Sequence, residues 1–472
     1  MENKDIENVL SSLPYSYEVS NNSEEIVNEY SKYEGKEVSI AGRIMGIRKS
    51  GKLLFVDILD KTGKIQGYFD YSLIGEEEFK NVKKFNIGDI IGVNGEVFKT
   101  NPGEISIKAK KVSLLAKALR SLPEKWKGLQ DIEIRYRKRY LDLIVNQKAR
   151  DIITKRTKII NHIREYLNNK NFLEVETPVI QPLYGGADAE PFKTFVNTLN
   201  EEDYLRISNE LYLKRLIIGG MERVYEIYKA FRNEDIDSTH SPEFTMLEAY
   251  QAYTDYEGMM KLTEELFKYI AEKLSITNLT YQGNKLNILA PFNRVKYVDA
   301  INEEVGQDIL SLDDEALFNL AEKEGIKFEK GKRFRAHAYD KLFEKIVQPK
   351  LIQPTFAIDF PAETSPLTRP KRGNNKLVER FEFYINGLEI ANAYSELNNP
   401  IIQRRNFEKE QEKAKAGDKE AEPLDMDFVE AMEYGMPPTG GIGIGIDRLV
   451  MIFTDQVSIK EVIPFPMEKR YS

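Results

Sequence analysis

The 472-residue chain contains no cysteine, only three histidines and a single tryptophan. Without thiols there can be no disulfide, no cysteine nucleophile and no thiolate metal centre. His162, His240 and His337 are too few and too scattered for a multi-histidine metal site. A bound metal would have to sit on carboxylates, which favours magnesium and leaves no zinc expected. No apolar run reaches the ~18–20 residues that cross a bilayer. The opening Met1-Glu2-Asn3-Lys4-Asp5-Ile6 has no basic stretch leading into an apolar one, so a cytoplasmic chain with no membrane partner is expected. Net basic charge is lacking as well: the balance is −8, whereas proteins that coat nucleic acid are usually basic.

The positive charge that is present is gathered locally. Lys36, Arg43, Arg48, Lys49, Lys52, Lys61 and Lys64 face only Glu37, Asp57 and Asp60 in one stretch. Lys108, Lys110, Lys111, Lys117, Arg120, Lys125 and Lys127 face only Glu124 in another. Basic faces on an acidic body suit a protein that grips a polyanion at chosen places, although solvated loops give the same pattern.

A chain of this length needs more than one core. Residues 1–34 read as a polar helical extension. Over 35–113, five short alternating runs with glycine turns, and a helical piece at 74–85 between the third and fourth, predict a small closed barrel resembling an OB-fold. Such barrels stack single-stranded bases on aromatic side chains. Phe55 could stack and Gln66 could read a base edge, but Phe55 fits the barrel core equally well. Residues 114–142 read as a basic linker, and 143–472 as a larger α+β domain. In that domain a long amphipathic helix over 147–169 is followed by Phe172-Leu173-Glu174-Val175-Glu176-Thr177-Pro178, a strand stopped by proline. Helices are expected at 255–275, 312–349 and 401–434, and strands at 355–360 and 378–391.

Three segments carry chemistry. Residues 225–250 place Arg232, Glu234, His240, Phe244, Glu248 and Tyr250 on two apolar runs and the turn between them. The guanidinium and imidazole suit phosphates, the flat ring a purine, and the carboxylate an exocyclic amine. Gly440-Gly441-Ile442-Gly443-Ile444-Gly445-Ile446-Asp447-Arg448 makes a strand with one bare face and an arginine at its end. It is neither a dinucleotide fingerprint nor a phosphate loop of the Gly-Lys-Ser/Thr kind. Between them, Glu382 and Glu389 are seven apart and would point to opposite faces of a plain strand. They converge only if Asn386-Gly387 turns the chain back, and could then hold magnesium beside a triphosphate. Asn392, Tyr394 and Glu396 share one strand face.

Phe231-Arg232-Asn233-Glu234 with His240-Ser241-Pro242-Glu243-Phe244, the helix–strand–proline element, and the glycine strand ending at Arg448 resemble motifs 2, 1 and 3 of the class II aminoacyl-tRNA synthetases. Order and content over essentially the whole chain resemble the lysyl-tRNA synthetases of that class. The resemblance implies an OB-fold anticodon-binding barrel followed by a catalytic domain with an antiparallel sheet flanked by helices, and a homodimer built largely on the motif 1 element. It implies that lysine is activated with ATP and transferred to a tRNA with a uridine-rich anticodon. Arg232 and Arg448 would be catalytic, and Glu234, His240, Phe244 and Glu382 would join them around ATP. Glu382 and Glu389 would carry magnesium. Gly186 and Ala187 on a mobile loop, Glu210 at the α-amino group, and Glu248, Tyr250, Asn392, Tyr394 and Glu396 at the side chain would hold lysine. Phe55, Gln66 and Arg48 would meet the anticodon. Ser208-Asn209 stands where the family more usually has Ala-Pro, and Ser241 where asparagine is common. The aspartyl and asparaginyl synthetases share the architecture, but Glu248 and Glu396 suit a cationic ligand. A paralogue without catalysis would have lost Arg232, Glu382, Glu389 or Arg448, and a protein lysyl-ligase resembles the catalytic part alone.

Overall fold

The computed structural model describes residues 3–123, 129–289, 291–328, 333–415 and 423–468. Glu124, Lys125 and Lys127 of the basic linker lie outside them, as do residues 329–332 and 416–422 of two expected helical regions. The chain forms two compact units, 1–130 and 131–472.

The first unit is a closed five-stranded barrel of Glu37–Ser50, Leu53–Leu59, Lys64–Asp70, Ile90–Lys99 and Ile105–Ala116. The first strand pairs with the second and the fourth, and closure comes from the parallel pairing of the third with the fifth. Short helices Tyr71–Ile74 and Glu76–Val82 lie between the third and fourth strands. Alternation sends Leu54, Val56 and Ile58 inward to meet Ile40, Val93 and Ile107. The N-terminal extension is not one helix. It forms Asn3–Ser11, Ser23–Asn28 and Tyr30–Tyr33, and its later part belongs to the barrel. Ile26 and Tyr33 enter the barrel core, and Asp60 accepts hydrogen bonds from Ser23 N and Oγ at 2.6 and 2.7 Å.

The second unit is built on a nine-stranded sheet. Its central strands run antiparallel in the order Thr355–Pro361, Asn374–Ile385, Leu388–Ser395, Thr439–Gly445, Glu243–Ala252 and Arg223–Phe231. The expected antiparallel sheet is present, with one parallel pairing added at each end. Asn293–Lys296 pairs parallel with Thr355–Pro361 after a helical crossover, and Leu173–Glu174 pairs parallel with Arg223–Phe231 after a crossover that holds a small three-stranded sheet and helix Glu210–Ile218. One face of the sheet presses Leu247, Ala249, Ile442, Ile444, Phe381 and Phe383 against helices Gln147–Asn169, Tyr256–Lys273 and Ile446–Thr454. The other face carries the polar residues singled out in the sequence.

Candidate active site

That polar face is organised in two rows of cross-strand neighbours. Glu382 stands opposite Asn392, Asn392 opposite Gly443, Gly443 opposite Glu248, and Glu248 opposite Glu226. The next row runs Arg380, Tyr394, Gly441, Tyr250, Val224. A cavity of about 390 Å³ opens over both rows. Arg232, Glu234, His240, Phe244, Glu382, Glu389 and Arg448 line one part of it. Gly186, Ala187, Glu210, Glu248, Tyr250, Asn392, Tyr394 and Glu396 line the rest. The fold therefore gathers into one cavity every residue of this domain that the sequence singled out for nucleotide, metal or lysine.

Glu382 and Glu389 do converge. Asn386 and Gly387 both take positive φ, 52° and 71°, and form the two-residue turn of a hairpin. Tyr384 then faces Glu389, so Glu389 joins the side of Glu382. A bulge follows. Phe383 pairs with Ala391 and Tyr384 with Glu389, leaving Ile390 as an extra residue. Glu389 and Asn392 are three apart and would otherwise face opposite ways; the bulge brings both to the cavity. Arg380 Nη2 donates to Glu382 Oε1 at 2.5 Å, and Tyr384 donates to its other oxygen. Burial, opposed by Arg380 and reinforced by Glu389, pushes the Glu382 carboxyl up to about 7. Two carboxylates on a shared cavity fit magnesium, which usually takes one or two carboxylates and completes its shell with water and phosphate. Among the described residues no cluster of three or more His, Asp or Glu forms an all-protein metal cage.

At the nucleotide end, the Arg232 backbone N donates to Pro242 O at 2.9 Å, closing the hairpin. Its guanidinium lies over the Phe244 ring, with Cζ 5.2 Å from the centroid. The turn is held by Asp237, whose carboxylate accepts from Thr239 N and from the backbone N and Nδ1 of His240 at 2.6–2.8 Å. With Nδ1 donating to Asp237, His240 Nε2 accepts from Arg448 Nη2 at 3.1 Å. Arg448 Nη1 donates to Glu389 O at 3.0 Å.

The other end of the cavity is dense in carboxylates. Glu248 accepts from Tyr228 Oη at 2.5 Å, Ser208 Oγ at 3.0 Å and Tyr250 Oη at 3.1 Å. Burial and the nearby Glu210 push its carboxyl up to about 7 despite these donors. Glu396 is fully buried, and its Oε1 has no hydrogen-bond partner. Burial raises its carboxyl, Lys214 works against that rise, and Glu210 adds to it. Glycine at 441 leaves the room: a Cβ there would strike Glu396 Oε1 and the Tyr250 ring. A Cβ on Gly186, at φ 82°, would come within 2.8 Å of both Glu210 Cβ and Ser208 Oγ.

Four important residues escaped the sequence reading. Lys214 lies in the carboxylate cluster, Arg380 and Tyr228 bond pocket carboxylates, and Ser208 does more than replace alanine. Arg380 was legible, since it is two residues from Glu382 on the same strand face. Lys214 was not, because a Glu–Lys spacing of four on a helix is equally that of a solvated surface pair.

On the barrel, burial alternates along Leu53–Leu59 and places Phe55 on the outer face, half-buried. Its cross-strand row reads Arg48, Phe55, Tyr68, Lys108. Phe55 meets Tyr68 edge-on at 5.5 Å, Tyr68 meets Phe98 at 5.3 Å, and Lys108 Nζ lies 5.1 Å from the Phe98 centroid. Tyr68 and Phe98 were not foreseen. Gln66 is 6% exposed and its Oε1 accepts from Ser106 Oγ at 3.0 Å. Arg48 is exposed and pairs with Asp57 at 3.3 Å.

Residues 131–469 match the family of class II tRNA synthetases (D, K and N), and residues 38–115 match the OB-fold nucleic acid binding domain. The chain is 50% identical to the lysine–tRNA ligase of Thermoanaerobacter pseudethanolicus (strain ATCC 33223 / 39E), over 98% of this chain and 94% of that one. It is 50% identical to the lysine–tRNA ligase of Clostridium botulinum (strain Hall), over 96% and 91%. For the lysine–tRNA ligase of Clostridium novyi (strain NT) the identity is 48%, over 96% and 90%.

Proposed function

The chain belongs to the class II tRNA synthetases of the D, K and N group, and from that premise we infer that it ligates lysine to tRNA. The observation that carries the choice of lysine is the buried carboxylate of Glu396, with one oxygen unpartnered at the cavity floor. A buried acceptor without a donor is costly, and an incoming ammonium relieves it. An apolar or acidic side chain would leave it unpaired, and a neutral amide would donate to it without neutralising its charge. Lys214 does put a cation at the same floor, which an aspartate ligand would need. That cation is already shared by Glu210 and Glu396, each at 2.5 Å. Three carboxylates against one ammonium leave an anionic pocket, which speaks against the aspartyl and asparaginyl alternatives.

The reaction is a positioning problem. A lysine carboxylate oxygen bonds to the α-phosphorus of ATP, and the bond to the bridging oxygen breaks with its electrons leaving on pyrophosphate. A terminal ribose hydroxyl of the tRNA then bonds to the activated carbonyl carbon, loses its proton, and releases AMP. No side-chain nucleophile is required. Arg232 holds the α-phosphate and the lysine carboxylate together. Phe244 and Arg448 enclose the adenine, Glu234 accepts its amine, and His240 with Arg448 faces the outer phosphates. Glu210 receives the α-ammonium under the Gly186-Ala187 loop. Tyr250, Asn392 and Tyr394 wall the side chain, whose ammonium meets Glu248 and Glu396. Glu382 and Glu389 would hold magnesium, which would supply charge neutralisation for the outer phosphates.

The half-buried row Phe55–Tyr68–Phe98, flanked by Arg48 and Lys108, supports the barrel as the anticodon platform, with stacked uridines its natural occupants. Exposed Leu173, Val179 and Ile180, at 53, 42 and 48%, support pairing of two copies along the edge that carries Leu173–Glu174. A cytoplasmic place alongside tRNA suits this reading.

The test is ATP–pyrophosphate exchange with each of the twenty amino acids, followed by charging of total tRNA. Only lysine should stimulate exchange. Glu396→Gln should abolish that stimulation while ATP still binds, because removing a buried partner costs about 3–5 kcal/mol, roughly two to three decades. Exchange driven by aspartate or asparagine would overturn the assignment.

A further inference from the structure

Lys214 is not explained by binding ATP, lysine or tRNA. It sits on helix Glu210–Ile218 with its side chain completely buried. Its Nζ is 2.5 Å from Glu210 Oε1 and 2.5 Å from Glu396 Oε2. Burial alone would strip its proton; Glu210 and Glu396 more than reverse that and hold it well above the ordinary lysine range. It is a permanent ammonium built into the floor of a site meant for another ammonium.

Counting charge gives it a purpose. Glu210, Glu248 and Glu396 surround the floor, and once a ligand has drawn all three into the ionised form Lys214 leaves two negative charges. A lysine ligand brings two ammonium groups, while its carboxylate belongs at Arg232. The floor and the ligand therefore neutralise each other group for group. Without Lys214, three carboxylates would crowd a buried space, where like charge and desolvation both favour protonation. A protonated Glu396 offers an ammonium far less than a carboxylate does.

Resting on the lysine assignment above, we propose that Lys214 is a positioning residue for lysine recognition: it favours the carboxylate form of Glu396 and orients it between two copies of the same chemical group, its own ammonium and the ligand's. The charged and titratable groups around Glu396 are Glu210 and Lys214 from the helix, Glu248 and Tyr250 from strand Glu243–Ala252 beyond the glycine strand, Tyr228 on the strand after that, Tyr394 on the strand that Glu396 follows, and Arg380 across from Tyr394. Lys214 and Arg380 are the cations of this set, and Arg380 is spent on Glu382, Asn392 and Ser365.

The experiment measures lysine KM and kcat in ATP–pyrophosphate exchange from pH 6 to 9.5 for the full chain and for Lys214→Met, Lys214→Gln and Lys214→Arg. Isothermal titration in buffers of different ionisation enthalpy counts the protons released when lysine binds. In the Met and Gln variants lysine KM should rise on the order of tenfold near neutral pH and recover as pH increases, since a carboxyl made tenfold less acidic is ionised one pH unit later. The midpoint of the profile should move upward by about one pH unit or more, and more protons should be released per lysine than in the parent. ATP KM should stay within about twofold. Lys214→Arg keeps the charge, so it should keep the parent's midpoint and proton count even if the larger head group weakens binding. Unchanged midpoints and proton counts in both neutral variants, or the same displacement in the Arg variant, would overturn the proposal. Two neutral variants guard against one failing to fold. If the parent itself showed exchange with an amino acid other than lysine, the functional assignment would fail first, and the two failures are distinguishable.

Discussion

Arg156 Nη1 stands 2.5 Å from Asp447 Oδ1, and both residues are buried. Arg156 belongs to helix Gln147–Asn169, whereas Asp447 opens the helix that carries Arg448. The second Asp447 oxygen accepts from Thr245 N at 2.6 Å, and Arg156 Nη2 donates to Thr245 Oγ1 at 2.9 Å. Three elements are thus locked at the point where the motif 3 strand turns into its helix. Thr245 and Asp447 line the cavity together with Phe244 and Met246, so the lock sits at its nucleotide end. Asp447→Ala should cost about 3–5 kcal/mol of stability in urea unfolding, the usual result of leaving one member of a buried ion pair alone. In the folded variant kcat for exchange should fall while lysine KM stays within about twofold, because Arg448 loses its placement and the lysine floor does not. A larger effect on lysine KM than on kcat would show that the lock serves the wrong half of the site.

Gly441 tests the lysine end in isolation. A Cβ there would strike Glu396 Oε1 and the Tyr250 ring, and both groups are fixed by burial. Gly441→Ala should therefore lower kcat/KM for lysine by roughly two decades or more, the scale expected when a buried polar group can no longer reach its ligand. ATP affinity, measured by equilibrium binding, should be nearly unchanged. Gly443→Ala is the control. Its Cβ would meet Met246 Cε at 3.3 Å, the end of a flexible side chain, and should be tolerated far better.

How far the sequence revealed this arrangement depends on range. Local rules were sufficient for the glycine strand and the alternation of Asn392, Tyr394 and Glu396, whereas the Asn386-Gly387 turn was legible only as a condition, and the single strand expected over 378–391 is two strands, Asn374–Ile385 and Leu388–Ser395, joined by it. They could not show the bulge at Ile390, which depends on how two strands register and which alone unites Glu389 with Asn392 on one face. Phe55 was ambiguous because an aromatic in an alternating strand suits either side, and only barrel closure chooses between them. Lys214 was invisible for a related reason: Glu210 and Lys214 have the spacing of a solvated helix pair, and their burial follows from a strand that arrives nearly two hundred residues later. The helical reading of residues 1–34 failed where 12–22 found partners on the barrel, as when Ser20 N donates to Ser39 O at 2.9 Å.

The barrel row predicts a separation of steps. Phe55→Ala and Tyr68→Ala should each weaken tRNA charging through KM for tRNA, by about 1–3 kcal/mol per stacked base. Lysine-dependent exchange should be unaffected, since no tRNA takes part in it. Equal loss in both assays would mean that the aromatic row serves folding of the barrel rather than nucleic acid.

The pH dependence of lysine binding follows from Glu248 as well as from Glu396. Burial and Glu210 raise its carboxyl from 4.5 to about 7 in the folded protein. Between those values the folded chain holds a proton that the unfolded chain has lost. The contribution of this group to stability is therefore full below pH 4.5 and declines as pH rises through about 7. An ammonium ligand needs the ionised form, so binding below pH 7 must first expel that proton. Lysine should bind more tightly at pH 8 than at pH 6, with proton release at the lower pH, and the rise in Tm produced by saturating lysine should be larger at pH 8. Ser208→Ala removes one of the three donors that oppose the rise. It should weaken lysine binding by about 0.5–1.5 kcal/mol, the value of one hydrogen bond, and move the midpoint to higher pH. A lysine-induced Tm increase that is the same at both pH values would remove Glu248 from the contact with the ligand's ammonium.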